Sequence, residues 1–120
     1  MKKVLVVDDS SVVRMSLEML LRENSFDVVS AADGVDGLEK ATSGSYDIII
    51  TDINMPNMNG LEMMKRLREN ADTKFVPILV LTTESDSDML SKGKEYGASG
   101  WIVKPFTNED LLSTVNKIIG

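Results

Sequence analysis

Short apolar runs alternate along this chain with stretches in which apolar residues recur every three or four positions. The runs are rich in Val and Ile and too short to be buried helices, so they predict β-strands. The intervening stretches have the spacing of amphipathic helices that bury one face. Strands are therefore predicted over residues 3–7, 27–31, 47–51, 76–81 and 100–103.

Each predicted strand is followed by a predicted helix. The first helix has a serine cap, either Ser10 or Ser11, which can satisfy its free backbone N–H groups. The fourth helix is rich in Ser and Asp and contains Gly93, which costs about 1 kcal/mol relative to Ala in a helix interior. We therefore expect it to be the most labile helix. The predicted helices lie at about residues 11–23, 34–44, 61–67, 85–96 and 111–119.

Regular alternation of strand and helix is typical of a doubly wound α/β fold with a parallel sheet. The run at 47–51 is almost wholly apolar, which favours a central strand covered by helices on both faces. The chain has 120 residues, 42% of them hydrophobic. That size suits one core, so we expect residues 1–120 to form a single domain.

The composition excludes several classes of function. The chain has no histidine and no cysteine, which rules out a Ser/His/Asp triad, a thiolate metal site and disulfides. Its net charge of −6 disfavours direct binding to nucleic acid, which usually requires a basic surface. No signal peptide is recognisable and no run approaches the ~20 apolar residues of a membrane span, so we expect a cytoplasmic protein.

Residues that could perform chemistry lie where four of the predicted strands end. Asp8 and Asp9 follow the first strand, Asp52 follows the third, Thr82 follows the fourth and Lys104 follows the fifth. In a parallel sheet these ends share the carboxyl edge, where open α/β sheets bind ligands. Two carboxylates ~4 Å apart repel by roughly 4 kcal/mol at an effective dielectric constant of about 20. A bound divalent cation is therefore expected.

These residue types together suit phosphoryl transfer. Mg²⁺ prefers oxygen ligands and commonly joins one or two carboxylates to a phosphate. Asp52 is the expected nucleophile, because carboxylates form acyl phosphates, while Lys104 supplies a positive charge and Thr82 a hydroxyl donor. Taken singly, each residue has an ordinary interpretation as a helix cap, a loop acid, a strand residue or a turn lysine. Their coincidence at four strand ends favours the site.

Five segments resemble the receiver domain of two-component response regulators, most closely the single-domain chemotaxis regulators of the CheY type. The resemblance spans essentially the whole chain and implies a flavodoxin-like sheet with strand order 2-1-3-4-5, for which CheY is a standard example. The segments are VVDDS at 6–10, D-x-N-MP-x-MNG at 52–60, LTTE at 81–84, GASG at 97–100 and VKPF at 103–106.

The resemblance assigns roles to the residues of the site. Asp52 resembles the phosphorylated aspartate, and Asp8 and Asp9 resemble the acidic pair that binds Mg²⁺, for which Mn²⁺ is expected to substitute. Asn54 resembles the residue that lends its backbone carbonyl to the metal. Lys104 resembles the lysine that pairs with the phosphoryl group.

Further positions resemble the residues that tune and transmit the signal. Thr82 resembles the switch hydroxyl, and Trp101 occupies the aromatic switch position, where Tyr or Phe is usual. Asn54 and Glu84 stand at the two positions that tune hydrolysis. The bond before Pro105 is expected to be cis, which proline permits.

The resemblance implies a phosphoacceptor switch and not a classical enzyme. A histidine kinase would donate the phosphoryl group, and the face made by the fourth helix, fifth strand and fifth helix would bind a downstream protein, such as a flagellar motor switch protein or a phosphatase. We expect a monomer with no nucleic-acid or membrane partner. Residues 86–88 are Asp, Ser and Asp, whereas the enteric type has lysines near the start of this helix. The difference lies on the surface that would bind the downstream protein.

Three alternatives remain open. A phosphorelay intermediate is also a single receiver and would have the same motifs. A metal-dependent phosphatase with an aspartyl nucleophile would need a second aspartate two residues later, where this chain has Asn54. A flavodoxin-like nucleotide binder would need a phosphate-cradling loop after the first strand, where Asp8 and Asp9 would repel phosphate.

Overall fold

The structure is a computed structural model that describes residues 1–83 and 86–120. Along these residues five strands alternate with five helices. The strands are β1 (Lys3–Val7), β2 (Asp27–Ala31), β3 (Ile48–Thr51), β4 (Ile78–Thr82) and β5 (Gly100–Val103). The helices are α1 (Ser11–Glu23), α2 (Gly34–Ser43), α3 (Gly60–Glu69), α4 (Ser87–Glu95) and α5 (Asn108–Ile119).

The strands form one parallel sheet in the order β2-β1-β3-β4-β5. This confirms the predicted doubly wound, flavodoxin-like α/β fold with its order 2-1-3-4-5. The central position of β3 agrees with its apolar sequence, because its three isoleucines are buried beneath helices on both faces.

Alternate residues of β1 bury themselves on opposite faces of the sheet. Val4 and Val6 belong to a core on the side of α1 and α5, which contribute Leu21 and Val115. Leu5 belongs to the core on the other side, where α2 and α3 contribute Ala41, Met63, Met64 and Leu67. The sheet is therefore held between two packed layers, which fixes the positions of the strand ends.

In the described chain each helix begins with a side-chain cap. Each capping side chain accepts a hydrogen bond from a backbone N–H two or three residues later, an interaction worth about 1 kcal/mol. For α1 the cap is Ser10 and not Ser11. The caps are Ser10, Asp33, Asn59, Asp86 and Thr107.

Several element boundaries differ from the prediction by one to three residues. β4 starts at Ile78 and not at residue 76, because Pro77 has no N–H and the Val76 N–H bonds back to Thr73 in a turn. It also extends to Thr82, which pairs with β5. β3 begins one residue late, at Ile48. α4 begins at Ser87 behind its Asp86 cap, and the predicted start at residue 85 lies outside the described residues.

Within the described residues, no helix combines the length and apolar character needed to cross a bilayer.

Candidate functional site

Strand pairing brings the residues after β1 and β3 side by side at the carboxyl edge. Val7 at the end of β1 is paired with Thr51 at the end of β3, so Asp8 and Asp52 follow as neighbours. The Asp52 N–H donates to the Val7 carbonyl at 3.0 Å, which extends the pairing by one residue. The two carboxylates therefore start from adjacent backbone positions on a rigid sheet.

Asp8, Asp9 and Asp52 form an acidic cluster, in which one carboxylate oxygen from each residue lies within 4.8 Å of the others. Asp8 is 2% exposed and Asp52 is 8% exposed, whereas Asp9 faces solvent. Backbone N–H groups orient the two buried carboxylates: Ser10 donates to Asp8 Oδ1 at 2.9 Å, and Ile53 donates to Asp52 Oδ1 at 2.6 Å. Carboxylates this buried require a positive partner.

Lys104 is that partner. Its Nζ lies 2.7 Å from Asp8 Oδ2 and 2.9 Å from Asp52 Oδ2, and its side chain is 15% exposed. Burial lowers the pKa of the ammonium, but hydrogen bonds and charges from the two aspartates outweigh it and raise the pKa of Lys104 above its ordinary value of 10.5. The Lys104 N–H donates to the Thr82 carbonyl at 2.9 Å, and the bond to Pro105 is cis, as expected.

The acidic cluster fits a magnesium ion. Three carboxylates and one ammonium leave a formal charge of −2 at the site, which a divalent cation neutralises. The available donors are all oxygens, and the exposed Asp9 leaves one side open to the waters that Mg²⁺ retains. Both the charge and the donor set therefore match this ion.

Of the remaining predicted site residues, Thr82 is buried and Asn54 is exposed. Thr82 is the last residue of β4 and is fully buried, and its carbonyl holds the backbone of Lys104. Asn54 is exposed, in the loop between β3 and α3. Glu84, predicted to tune hydrolysis, lies outside the described residues.

Gly60 brings the start of α3 against the site. Its N–H donates to the Ile53 carbonyl at 2.8 Å, and a Cβ at this position would collide with the Asp52 backbone. Only glycine permits so close an approach. The loop of residues 54–59, which carries Asn54, is therefore short and closed at its base.

Trp101 of β5 packs against α4. A Cβ at Gly93 would lie 2.7 Å from Trp101 Cζ3, so the glycine that weakens α4 also makes room for the indole ring. The ring is half-buried, and its Nε1 is the single buried side-chain nitrogen or oxygen in the described part of the chain with no hydrogen-bond partner. The bulky ring fits beneath α4 because residue 93 has no side chain.

Arg14 of α1 is a site contact that the sequence did not indicate. Its Nη1 donates to the Asp8 carbonyl at 2.6 Å. The available signal was its spacing, because Arg14 lies one helical turn after the Ser10 cap and so faces back toward the start of α1. Read from sequence alone, an arginine in the first turn of a helix is an ordinary surface residue.

Comparison with known sequences gives one consistent family. A profile of the response regulator receiver domain matches residues 4–116. Among curated proteins, "Response regulator ArlR" of Staphylococcus saprophyticus is 40% identical over 119 residues, which is 99% of this chain and 53% of that protein. ArlR of Staphylococcus aureus is 39% identical over the same length. The chain thus spans about half the length of these curated relatives.

Solved structures agree in fold over the whole chain. Chemotaxis protein CheY4 of Vibrio cholerae is 45% identical with a TM-score of 0.93, and the match covers 98% of each chain. The receiver domain of a sensor histidine kinase of Pseudomonas aeruginosa is 26% identical with a TM-score of 0.91, covering 99% of this chain and 98% of that one. That structure holds a magnesium ion coordinated in the active site cleft. The acidic cluster is typical of the Mg²⁺ site of receiver domains.

Proposed function

The chain belongs to the response regulator receiver domain family, and we propose that it acts as a cytoplasmic chemotaxis switch that a histidine kinase phosphorylates at Asp52. The two bonds from Lys104 Nζ to Asp8 and Asp52 carry this proposal. They hold a charged ammonium at the acceptor carboxylate, where it can stabilise phosphoryl oxygens. Like other receiver domains, the chain is a phosphoacceptor switch and not a classical enzyme.

Phosphorylation exchanges one bond to phosphorus for another. An Asp52 carboxylate oxygen forms the new O–P bond as the N–P bond of the donor's phosphohistidine breaks, and the imidazole leaves with a proton from solvent. Asp9, Asp52 and the Asn54 carbonyl would hold Mg²⁺, with Asp8 acting through water. When bound, the ion supplies positive charge next to the phosphoryl oxygens. Lys104 then exchanges its bond to Asp52 for one to the phosphoryl group.

The output follows from a shift between two conformations of the face made by α4, β5 and α5. The buried hydroxyl of Thr82 moves toward the phosphoryl group, α4 resettles, and Trp101 adjusts in the space beneath it. Among its described residues α4 buries only Gly93, fewer than any other helix. It is therefore the helix whose displacement costs least. Asn54 and Glu84 set the lifetime of the modified state.

The chemotaxis assignment is supported by the likeness to CheY4, which covers 98% of both chains. The expected partners are a flagellar motor switch protein and a phosphatase. Asp86 accepts hydrogen bonds from the N–H groups of Asp88 and Met89 as the cap of α4. A partner that docks at this end of α4 must therefore tolerate an acidic start, in contrast to the lysines of the enteric type.

Partner binding tests the proposal. The chain is mixed with the motor switch protein of its own source cell, with and without beryllofluoride as a phosphoryl mimic in Mg²⁺. We expect the mimic to tighten binding about tenfold, a coupling in the range usual between two sites. The Asp52→Asn variant should show no such gain. Loss of the phosphoryl group to a histidine phosphotransfer protein, without any gain in motor binding, would instead establish the phosphorelay role.

A further inference from the structure

The loop of residues 54–59 is held at its tip by the start of α2. Asn57 Nδ2 donates to Asp33 Oδ2 at 2.7 Å, and the Gly34 N–H donates to the Met58 carbonyl at 3.0 Å. The loop is closed at its base by the bond from Gly60 to Ile53 described above. Asp33, the cap of α2, and Gly34, its first residue, thus fix the far side of the loop that carries Asn54.

The backbone conformation of both the 54–59 loop and the start of α2 suits the contact between them. Asn57 has a φ of 67°, in the left-handed region that Asn tolerates better than most residues. A Cβ at Gly34 would lie 2.8 Å from the Met58 carbonyl carbon, so glycine is needed for the backbones to approach. The contact is therefore built into the chain at positions 33, 34 and 57.

Asp33 is itself held in place. Its Oδ1 accepts from the Asp36 N–H at 2.8 Å as the cap of α2. The Asp36 N–H first, and the Asn57 amide second, lower the pKa of the Asp33 carboxyl, so it is ionised at neutral pH. One oxygen anchors the carboxylate to α2, and the other is left to hold Asn57.

We propose that Asp33 and Asn57 are positioning residues for the metal site, which hold the 54–59 loop so that the Asn54 carbonyl stays within reach of an ion bound by the acidic cluster. This inference rests on the proposed function, in which that carbonyl is a Mg²⁺ ligand. Neither residue contacts the ion. They act through the loop, in the way that groups beyond the ligands of a metal site set ligand orientation.

Two substitutions separate the hydrogen bond between Asn57 and Asp33 from the cap of α2. Asn57→Gly keeps the left-handed backbone and removes the amide, whereas Asp33→Ser keeps a capping oxygen but is too short to reach Asn57. Ser25→Gly is the matched control, because Ser25 also has a φ of 67° but lies between α1 and β2, at the opposite edge of the sheet. The exchanged pair Asp33→Asn with Asn57→Asp restores the hydrogen bond with donor and acceptor reversed.

The readout is the Mg²⁺ dissociation constant, measured by titration calorimetry without a phosphoryl donor. We expect Asn57→Gly and Asp33→Ser each to weaken Mg²⁺ binding about tenfold, the lower end of the range for residues behind a metal ligand. The double variant should be no weaker than either single one, because both remove the same contact. Ser25→Gly should stay within about twofold of wild type and the exchanged pair should recover most of the affinity.

Labelling by acetyl phosphate at saturating Mg²⁺ gives the second readout. Its maximal rate should stay near wild type in both single variants, because the defect lies in metal binding alone. Dissociation constants equal to wild type in both variants, or additive effects in the double variant, would overturn the inference while leaving the site intact. Mg²⁺ binding by the Asp9→Ala variant that is as tight as in wild type would overturn the metal site and the inference together.

Discussion

Lys104 bridges two carboxylates that lie far apart in the sequence and adjacent in the fold. Its ammonium is the positive charge within hydrogen-bonding distance of both Asp8 and Asp52. Removing it leaves two buried negative charges facing each other. The residue that is expected to clamp the phosphoryl group therefore also stabilises the metal-free protein.

We expect Lys104→Met to lower the free energy of unfolding by about 3 kcal/mol in buffer with a chelator, as when one partner of a buried ion pair is removed. Added Mg²⁺ should restore part of the loss by neutralising the same carboxylates. Urea denaturation measures both effects. Lys65→Met, at an exposed position of α3, is the control and should change stability by about 0.5 kcal/mol or less. Equal losses in the two variants would contradict the role of Lys104.

The same contact makes a prediction about pH. Because the folded-state pKa of Lys104 is raised above 10.5, its contribution to stability is fully present below that value and is lost as the pH rises through the folded-state pKa. The stability difference between wild type and Lys104→Met, measured without metal, should therefore narrow in strongly alkaline solution. A difference that is constant with pH would show that lost packing, and not the ion pair, causes the effect.

At the scale of elements, one arginine joins three separate segments. Arg68 at the end of α3 donates from Nη1 to the carbonyls of Thr73 and Val76 at 3.1 and 2.8 Å, and from Nε to the Tyr96 carbonyl at 2.8 Å. A further bond reaches Gly97, which has a φ of 78°. Burial lowers the pKa of the Arg68 guanidinium. The end of α4 is thus fixed to α3 and to the turn before β4.

We expect Arg68→Ala to lower the free energy of unfolding by about 2–3 kcal/mol, because several carbonyls lose a charged donor at once. Arg66→Ala, two residues earlier on the same helix, should cost about 0.5 kcal/mol or less, since within the described residues Arg66 makes only an exposed pair with Glu62 at 3.1 Å. Chemical denaturation of the two variants measures both losses in the free energy of unfolding. Arg68→Ala as mild as Arg66→Ala would show that water replaces these bonds without loss.

Elements and site differ in how far the sequence predicts them. Periodicity located every strand and helix of the described chain to within a few residues, because burial on both faces of a parallel sheet imposes long apolar runs. The edge where Asp8, Asp52 and Lys104 meet followed from the topology alone. The contacts of Arg68 and the hydrogen bond between Asn57 and Asp33 could not be predicted. Their partners are backbone carbonyls and a loop amide that only the folded chain brings near.

For the whole molecule, we expect the acidic cluster to couple metal binding to stability. An ion that binds the folded chain alone stabilises it by about 1.4 kcal/mol at ten times its dissociation constant. We therefore expect Mg²⁺ to raise the melting temperature by about 4–6 °C at that concentration.

Asp9→Ala should remove most of this response and raise the melting temperature of the metal-free protein, since it relieves repulsion within the cluster. Asp72→Ala, in the exposed segment between α3 and β4, should leave both values near wild type. Thermal scans with a chelator and with increasing Mg²⁺ provide the comparison. A full Mg²⁺ response in Asp9→Ala would place the ion elsewhere.

We expect Asp52 to accept the phosphoryl group, and mass spectrometry of the chain after incubation with acetyl phosphate and Mg²⁺ is the decisive test. Wild type should gain one phosphoryl group on the peptide that contains Asp52, and Asp52→Asn should gain none. Asp47→Asn changes an aspartate at the opposite end of the same strand, where the carboxylate accepts from the Lys3 N–H at 2.7 Å, and it should label like wild type. Labelling of Asp52→Asn to the wild-type extent would show that Asp52 is not the acceptor.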